Sequence, residues 1–215
     1  MKIVFKTFFI LSIFTNILFA QEKIIIFEFT KKGLAELESH SIKKKTDYSI
    51  GTDKNGEGYL RAEAEGQASG LGKKIKVNLN KTPYINFTWK IEQGISGIKE
   101  NTKKGHDFAA RVSVIKNVGP LPWQKNAMNY VFSSNEKTNS HWIGPYRKQV
   151  IDYAASSLMD TNVDTWVTVK LNVKEHFKKF LDMDLDEIDG VAIMTDTDNT
   201  KKKAIAYYKN IYFSN

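Results

Sequence analysis

The chain is predicted to be all-β: a two-sheet antiparallel β-sandwich of jelly-roll type with one short helix. Three observations predict this. Short segments of period-two hydrophobicity recur along the chain, separated by Gly, Asn, Asp and Pro turn signals. Only one stretch carries a helical apolar stripe, so the β–α alternation of parallel-sheet folds is missing. Aromatic residues make up 12% of the 215 residues, with nine Tyr and thirteen Phe, a bias that suits pleated, half-buried surfaces.

In order, residues 1–20 read as a secretory signal peptide. Lys2 and Lys6 precede an apolar run from Phe8 to Leu18, and Ala20 stands before Gln21 at the expected cut. The run is shorter than the roughly 20 residues a membrane span needs, and no later segment is apolar enough to be a transmembrane segment. Residues 21–215 then form a single domain, exported to the periplasm or the medium. Ile24 to Phe29 read as a buried strand and Lys32 to Leu37 as a helical turn, with a short strand about Tyr48–Ile50. Asp53 to Gly58 form a turn that returns into a strand at Tyr59–Ala64. Gly66 to Gly72 read as a loop and Lys74 to Leu79 as a strand. Tyr84 to Ile91 is the cleanest strand, with Ile85, Phe87, Trp89 and Ile91 on one face.

Gly94 to Gly105 is a polar connection. Phe108 to Ile115 alternates again, with Phe108, Ala110, Val112 and Val114 on one face and Asp107, Ala109, Arg111 and Ser113 on the other. Strands are predicted at Ala127–Phe132, Arg147–Ala154 and Thr165–Val173, with loops at Val118–Trp123 and Ser133–Pro145. Lys174 to Leu181 is the helix, striped by Val173, Phe177, Phe180 and Leu181. Asp182 to Asp189 is a solvated acidic turn, and Ile188–Thr195 and Ala204–Phe213 are the last strands.

Composition excludes several classes. There is no cysteine, hence no disulfide, thiolate metal site or cysteine nucleophile. The formal charge is +8, two of it on Lys2 and Lys6, and the excess is lysine on predicted loops. Lysines scattered in this way are ordinarily a solvated surface, with attraction to an acidic glycan or an anionic membrane surface as the alternative; no nucleic-acid-reading motif is present. The four histidines lack metal-helix spacing, and no nucleophile elbow, phosphate loop or dinucleotide fingerprint occurs.

Two segments concentrate polar chemistry. Asp196, Asp198 and Asn199 end an apolar strand, where oxygens could hold a calcium ion or simply pin the turn. The spacing fails the helix–loop–helix calcium pattern, and Lys201 to Lys203 oppose a cation. Asp107 and Arg111 share a strand face, and a planar guanidinium suits a carboxylate or a hydroxyl pair. Asn129, Tyr130 and Tyr146 complete the predicted site, with aromatic faces offering stacking platforms for sugar rings. Together these residues predict a non-catalytic exported domain that binds carbohydrate or a similar polar ligand. One alternative is a polysaccharide hydrolase or lyase working with Asp107 and Asp196. Another is an envelope interaction domain with no small ligand.

Six segments resemble one bacterial family in this order: Phe87-Thr88-Trp89-Lys90-Ile91, Lys104 to Val112, Met128 to Phe132, Gly144-Pro145-Tyr146, Ile193 to Thr200, and Ala206 to Phe213. The family is the domain of unknown function DUF3047, and the resemblance runs from about Phe27 to Phe213. It implies an exported bacterial protein and no stated activity. This chain departs from the family pattern at His106, where an acidic residue is usual, and at Lys209-Asn210 in place of Gly-Asp. The segment order is also similar to galactose-binding-like jelly rolls and carbohydrate-binding modules. There a structural calcium often joins the first and last strands, at places comparable to Glu28 and Asn210; no other cofactor is implied.

Overall fold

The computed structural model describes residues 22–121 and 123–215, and the amino-terminal segment read as a signal peptide lies outside them. The elements run β1 (Lys23–Ile25), α1 (Lys31–Ala35), β2 (Glu38–Lys43), β3 (Asp47–Thr52), β4 (Gly58–Glu65), β5 (Ala68–Asn78), β6 (Tyr84–Gln93) and β7 (Ala110–Asn117). They continue with β8 (Lys125–Ser133), β9 (His141–Ile143), β10 (Val150–Ser157), β11 (Val167–Asn172), α2 (Val173–Leu181), β12 (Glu187–Asp196) and β13 (Lys203–Ser214).

Two sheets form. One has the order β11-β6-β13-β4-β3, with β1 added on β13; the other has the order β2-β5-β12-β7-β8-β10-β9. Their inner faces meet over a single main core, in which Phe87, Trp89, Tyr130, Phe132, Tyr208 and Phe213 are essentially inaccessible. Each such aromatic contributes on the order of 2–3 kcal/mol by leaving water. Trp89 can be buried because its indole Nε1 donates to Ser156 Oγ at 3.0 Å. The period-two reading of β6 holds, with Ile85, Phe87, Trp89 and Ile91 all inward.

The helix α2 has a physical start and stop. Asn172 accepts the Glu175 amide at 3.1 Å as N-cap, and Asp182 ends the helix in the left-handed region at φ 53°. Its buried face is Val173 and Phe177. The acidic turn that follows is matched by lysines: Asp184 and Asp186 by Lys174, and Asp189 by Lys116.

The sequence reading needs correction in five places. The run Ile24 to Phe29 is not one buried strand: β1 stops at Ile25, and Ile26, Phe27 and Phe29 enter the core from irregular chain. Residues 66–72 are not a loop, because β5 runs unbroken from Ala68; Gly70 and Gly72 sit inside it, where β12 packs so closely that a Cβ at Gly70 would lie 3.0 Å from the Ile193 carbonyl oxygen. Two edge strands, β2 and β9, carry no run of period-two alternation: β2 is exposed throughout, and β9 is only three residues long. β8 and β10 pair in parallel, although every other pairing is antiparallel. The Ser133–Pro145 crossover makes this possible, and β9 folds back from it onto β10. Finally, Phe108 does not share the core face of β7. It precedes the ladder and packs with Val131, Ala154 and Trp142 on the outer side of the sheet.

Candidate functional site

The seven-stranded sheet turns a face outward, and strand register assembles a site on it. Two transverse rows matter. Gly70, Met194, Arg111 and Val131 stand side by side on β5, β12, β7 and β8. Gly72, Ala192, Ser113, Asn129 and Asp152 form the next row, which reaches β10. Over their β7–β10 end lies a cleft of about 450 Å³. Its polar lining comes from His106, Arg111, Asn129, Arg147, Asp196, Asp198 and Asn199, and Ile42, Val150 and Met194 supply apolar wall.

At the rim stands Tyr146, 54% exposed, with its ring edge-on to His106 at 5.6 Å. The phenol reaches Asn199 Oδ1 at 2.8 Å and the Lys103 carbonyl at 3.1 Å, which anchors the ring at the rim. Burial raises its hydroxyl pKa, with Asp198 adding to the effect, so Tyr146 stays a neutral phenol.

Below the rim, Arg111 is only 8% exposed. One terminal nitrogen, Nη2, donates to both oxygens of Asp196, at 2.9 and 3.0 Å, and the guanidinium carbon lies 4.9 Å from the Phe108 ring centre. Burial pushes Asp196 up to about 6, against the attraction of Arg111 and with repulsion from Asp107. Asp107 is fully buried beneath the cleft and does not line it. It ties down the 196–200 turn, accepting the Asn199 side-chain amide at 2.8 Å and the backbone amides of Asn199 and Thr200 at 3.2 and 2.6 Å. The turn is therefore pinned by a carboxylate from another segment rather than by its own aspartates.

A second polar chain runs under the floor. Ser113 Oγ donates to Asn129 Oδ1 at 2.7 Å, and Asn129 Nδ2 donates to Asp152 Oδ1 at 2.8 Å. Asp152 Oδ2 in turn faces His106 Nε2 at 2.8 Å. Both amide ends of Asn129 are thus committed, which fixes its orientation.

Of the eight residues predicted from sequence, six line the cleft: Arg111, Asn129, Tyr146, Asp196, Asp198 and Asn199. Asp107 supports them from below. Tyr130 is a correction. It is 0% exposed, points into the core between Phe87, Tyr153 and His176, and its hydroxyl has no partner. Period two explains this: Asn129 faces outward, so its neighbour on β8 faces inward. His106, Asp152 and Arg147 were not predicted as site residues. A signal for Asp152 existed, since a lone carboxylate interrupts the apolar run of β10.

The oxygens of Asp107, Asp196 and Asp198 lie within 4.8 Å of one another, a spacing that a hard cation accepts. Among the described residues this is the one acidic group of that kind; Glu28 and Asn210 take no part in it. Its charge is already answered in part, by Arg111 at Asp196 and by amides at Asp107. The same commitment bears on acid–base chemistry. Two catalytic carboxylates of a retaining glycosidase stand about 5–5.5 Å apart and those of an inverting one about 6.5–9.5 Å, in each case free to reach substrate. Here Asp107 is sealed beneath the turn.

No curated protein matches the chain. Several solved structures are similar to the chain, all at low identity. The carbohydrate-binding module TmCBM61, solved with β-1,4-galactotriose, is 10% identical, with 86% of this chain and 97% of that one covered, at a TM-score of 0.39. A family 30 carbohydrate-binding module of a Clostridium thermocellum cellulosomal cellulase is 12% identical over 91% and 94%, at 0.40. The xyloglucanase domain of NopAA from Sinorhizobium fredii, solved with cellobiose, is 10% identical over 85% and 99%, at 0.44. Likeness of this degree says nothing about what the cleft holds. The family comparison is decisive where these are not: the model of the protein family of unknown function DUF3047 matches residues 32–212, and the chain belongs to that family.

Proposed function

We propose that the cleft on the outer face of the seven-stranded sheet binds carbohydrate and performs no chemistry on it. The observation that carries this reading is the convergence on one cavity of a fixed aromatic rim, Tyr146, with acceptors and donors at Asp198, Asn199 and Arg111 and an apolar wall at Ile42, Val150 and Met194. A sugar ring presents the same mixture, hydroxyls at its edge and C–H patches on its faces. Hydrolysis is the weaker reading, because Asp107 is committed to backbone amides and Asp196 to Arg111.

The reading includes export, which the basic and apolar features of residues 1–20 support. It requires no metal, since Arg111 already sits against the acidic group. Glycan-array screening of the purified protein, followed by calorimetry on the best ligand, tests the proposal. We expect measurable affinity that Tyr146→Ala lowers about five- to tenfold, the worth of one stacked ring. Millimolar calcium leaves that affinity unchanged. A protein that binds no glycan, or a Tyr146→Ala variant that binds as tightly as the parent, overturns it.

A further inference from the structure

Three cavities meet on the outer face of the seven-stranded sheet. The cleft just described shares Ile42 and Met194 with a second cavity of about 320 Å³, which lies over β2, β5, β12 and β7. It shares Arg147 with a third, of about 510 Å³, beside Val118 and Trp123. Lys125 closes the circuit by lining both the second and the third. The floor stays low where the second cavity crosses the strands because its rows are built from Gly70, Gly72, Ala192 and Ser113. From Glu38 on β2 to Asp152 on β10 the row of neighbours spans five strand intervals, about 24 Å. That is too long for one sugar ring and suits a chain of them.

The charges along this groove are not balanced. Lys74 is paired with Glu38, Lys116 with Asp189, and Arg111 with Asp196. Among the described residues neither Lys125 nor Arg147 forms an ion pair, and residues 1–21 contain no acidic residue. The Arg147 guanidinium is held by neutral acceptors, the Trp123 carbonyl and the Lys125 carbonyl at 3.2 Å, through Nη2 alone. Its positive charge is thus fixed in place and uncancelled at the junction of two cavities. Trp123, 63% exposed, adds an aromatic face beside it. Asp198, by contrast, leaves a carboxylate in the first cleft, where a neutral ring with hydroxyl donors fits and an acidic one does not.

We propose that the groove takes several consecutive units of an anionic, uronate-bearing polysaccharide laid across the strands. Carboxylates rest on Arg147 and Lys125, and a hydroxyl-bearing ring fills the cleft beside Tyr146 and Asp198. This rests on the carbohydrate reading of the cleft and extends it to ligand length and charge.

The test is calorimetry on the full protein with hexamers and dimers of galacturonate and mannuronate and with a neutral galactose hexamer, at low and moderate salt. We expect one uronate hexamer to bind at least tenfold tighter than its dimer and than the neutral hexamer, and to weaken as salt rises. Lys125→Ala and Arg147→Gln each lower uronate affinity several-fold, and lower it more than they lower binding of the neutral hexamer. Gly72→Gln, whose new Cβ would meet Ala192 at an ordinary 3.7 Å, fills the second cavity and weakens the hexamer but not the dimer. Equal, salt-independent affinity for the neutral and uronate hexamers overturns the charge assignment and leaves the cleft reading standing. Equal affinity for dimer and hexamer, with Gly72→Gln silent, overturns the long groove. Failure of every glycan to bind overturns both this inference and the reading beneath it.

Discussion

Replacing Arg111 with leucine removes the guanidinium from Asp196 and leaves a carboxylate that is 3% exposed with one long backbone contact, the Phe108 amide at 3.4 Å. In the intact protein Asp196 titrates near 6 against a reference of 3.8. A raised carboxylate pKa means that the folded state disfavours the charged form. The associated stability is full below the reference pKa and is lost as pH rises through about 6. At pH 8 that loss is about 3 kcal/mol for a shift of this size, even with Arg111 present. Without Arg111 the shift grows, because breaking a buried pair costs roughly 3–5 kcal/mol when the remaining charge cannot escape. Protonation offers the escape. Arg111→Leu is therefore expected to cost about 3 kcal/mol at pH 8 and roughly 1 kcal/mol or less at pH 5, where Asp196 is already mostly neutral. Urea unfolding at pH 5, 6.5 and 8 measures this. The double variant Arg111→Leu with Asp196→Asn should regain about 2 kcal/mol at pH 8, since no unpaired charge is left to bury. A cost that is the same at both pH values, with no recovery in the double variant, would refute the account of this pair.

Two further outcomes are expected. Tyr130→Phe removes a buried hydroxyl with no partner, so thermal unfolding should be unchanged or slightly raised, by up to about 1 kcal/mol, and ligand affinity should not move. A clear loss of affinity would return Tyr130 to the site. His176 is enclosed by Tyr130, Tyr153 and Phe180, and burial together with Lys179 and His141 holds it down to about 4 from 6.5. Its lowered pKa gives stability that is present above 6.5 and lost as pH falls toward 4, so the urea midpoint should drop over that interval and His176→Leu should flatten the drop. An unchanged slope in the variant would remove His176 as the cause.

Local pattern carried much of the fold. Alternation in β6 and in β12 is a property of neighbouring residues on one pleated strand, so the core faces of Phe87, Trp89, Val191 and Ile193 are legible without any partner strand. The same rule, applied strictly, also separates Asn129 from Tyr130, since adjacent residues on a strand cannot both face one cleft. Phe108 escapes the rule because the ladder of β7 begins only at Ala110. Residue chemistry marked Asp107–Arg111 and Asp196–Asn199 as polar outliers beside apolar strands.

What no local pattern contains is which segments meet. Arg111 reaches Asp196 across 85 positions because β7 lies beside β12 with Arg111 opposite Met194. The parallel seating of β10 on β8 sets Asp152 opposite Asn129, which joins His106 to the cleft floor. Strand order and register are long-range choices, settled by the burial of two whole sheet faces at once. The cleft, which lies on the far side of one of those sheets, is placed by them.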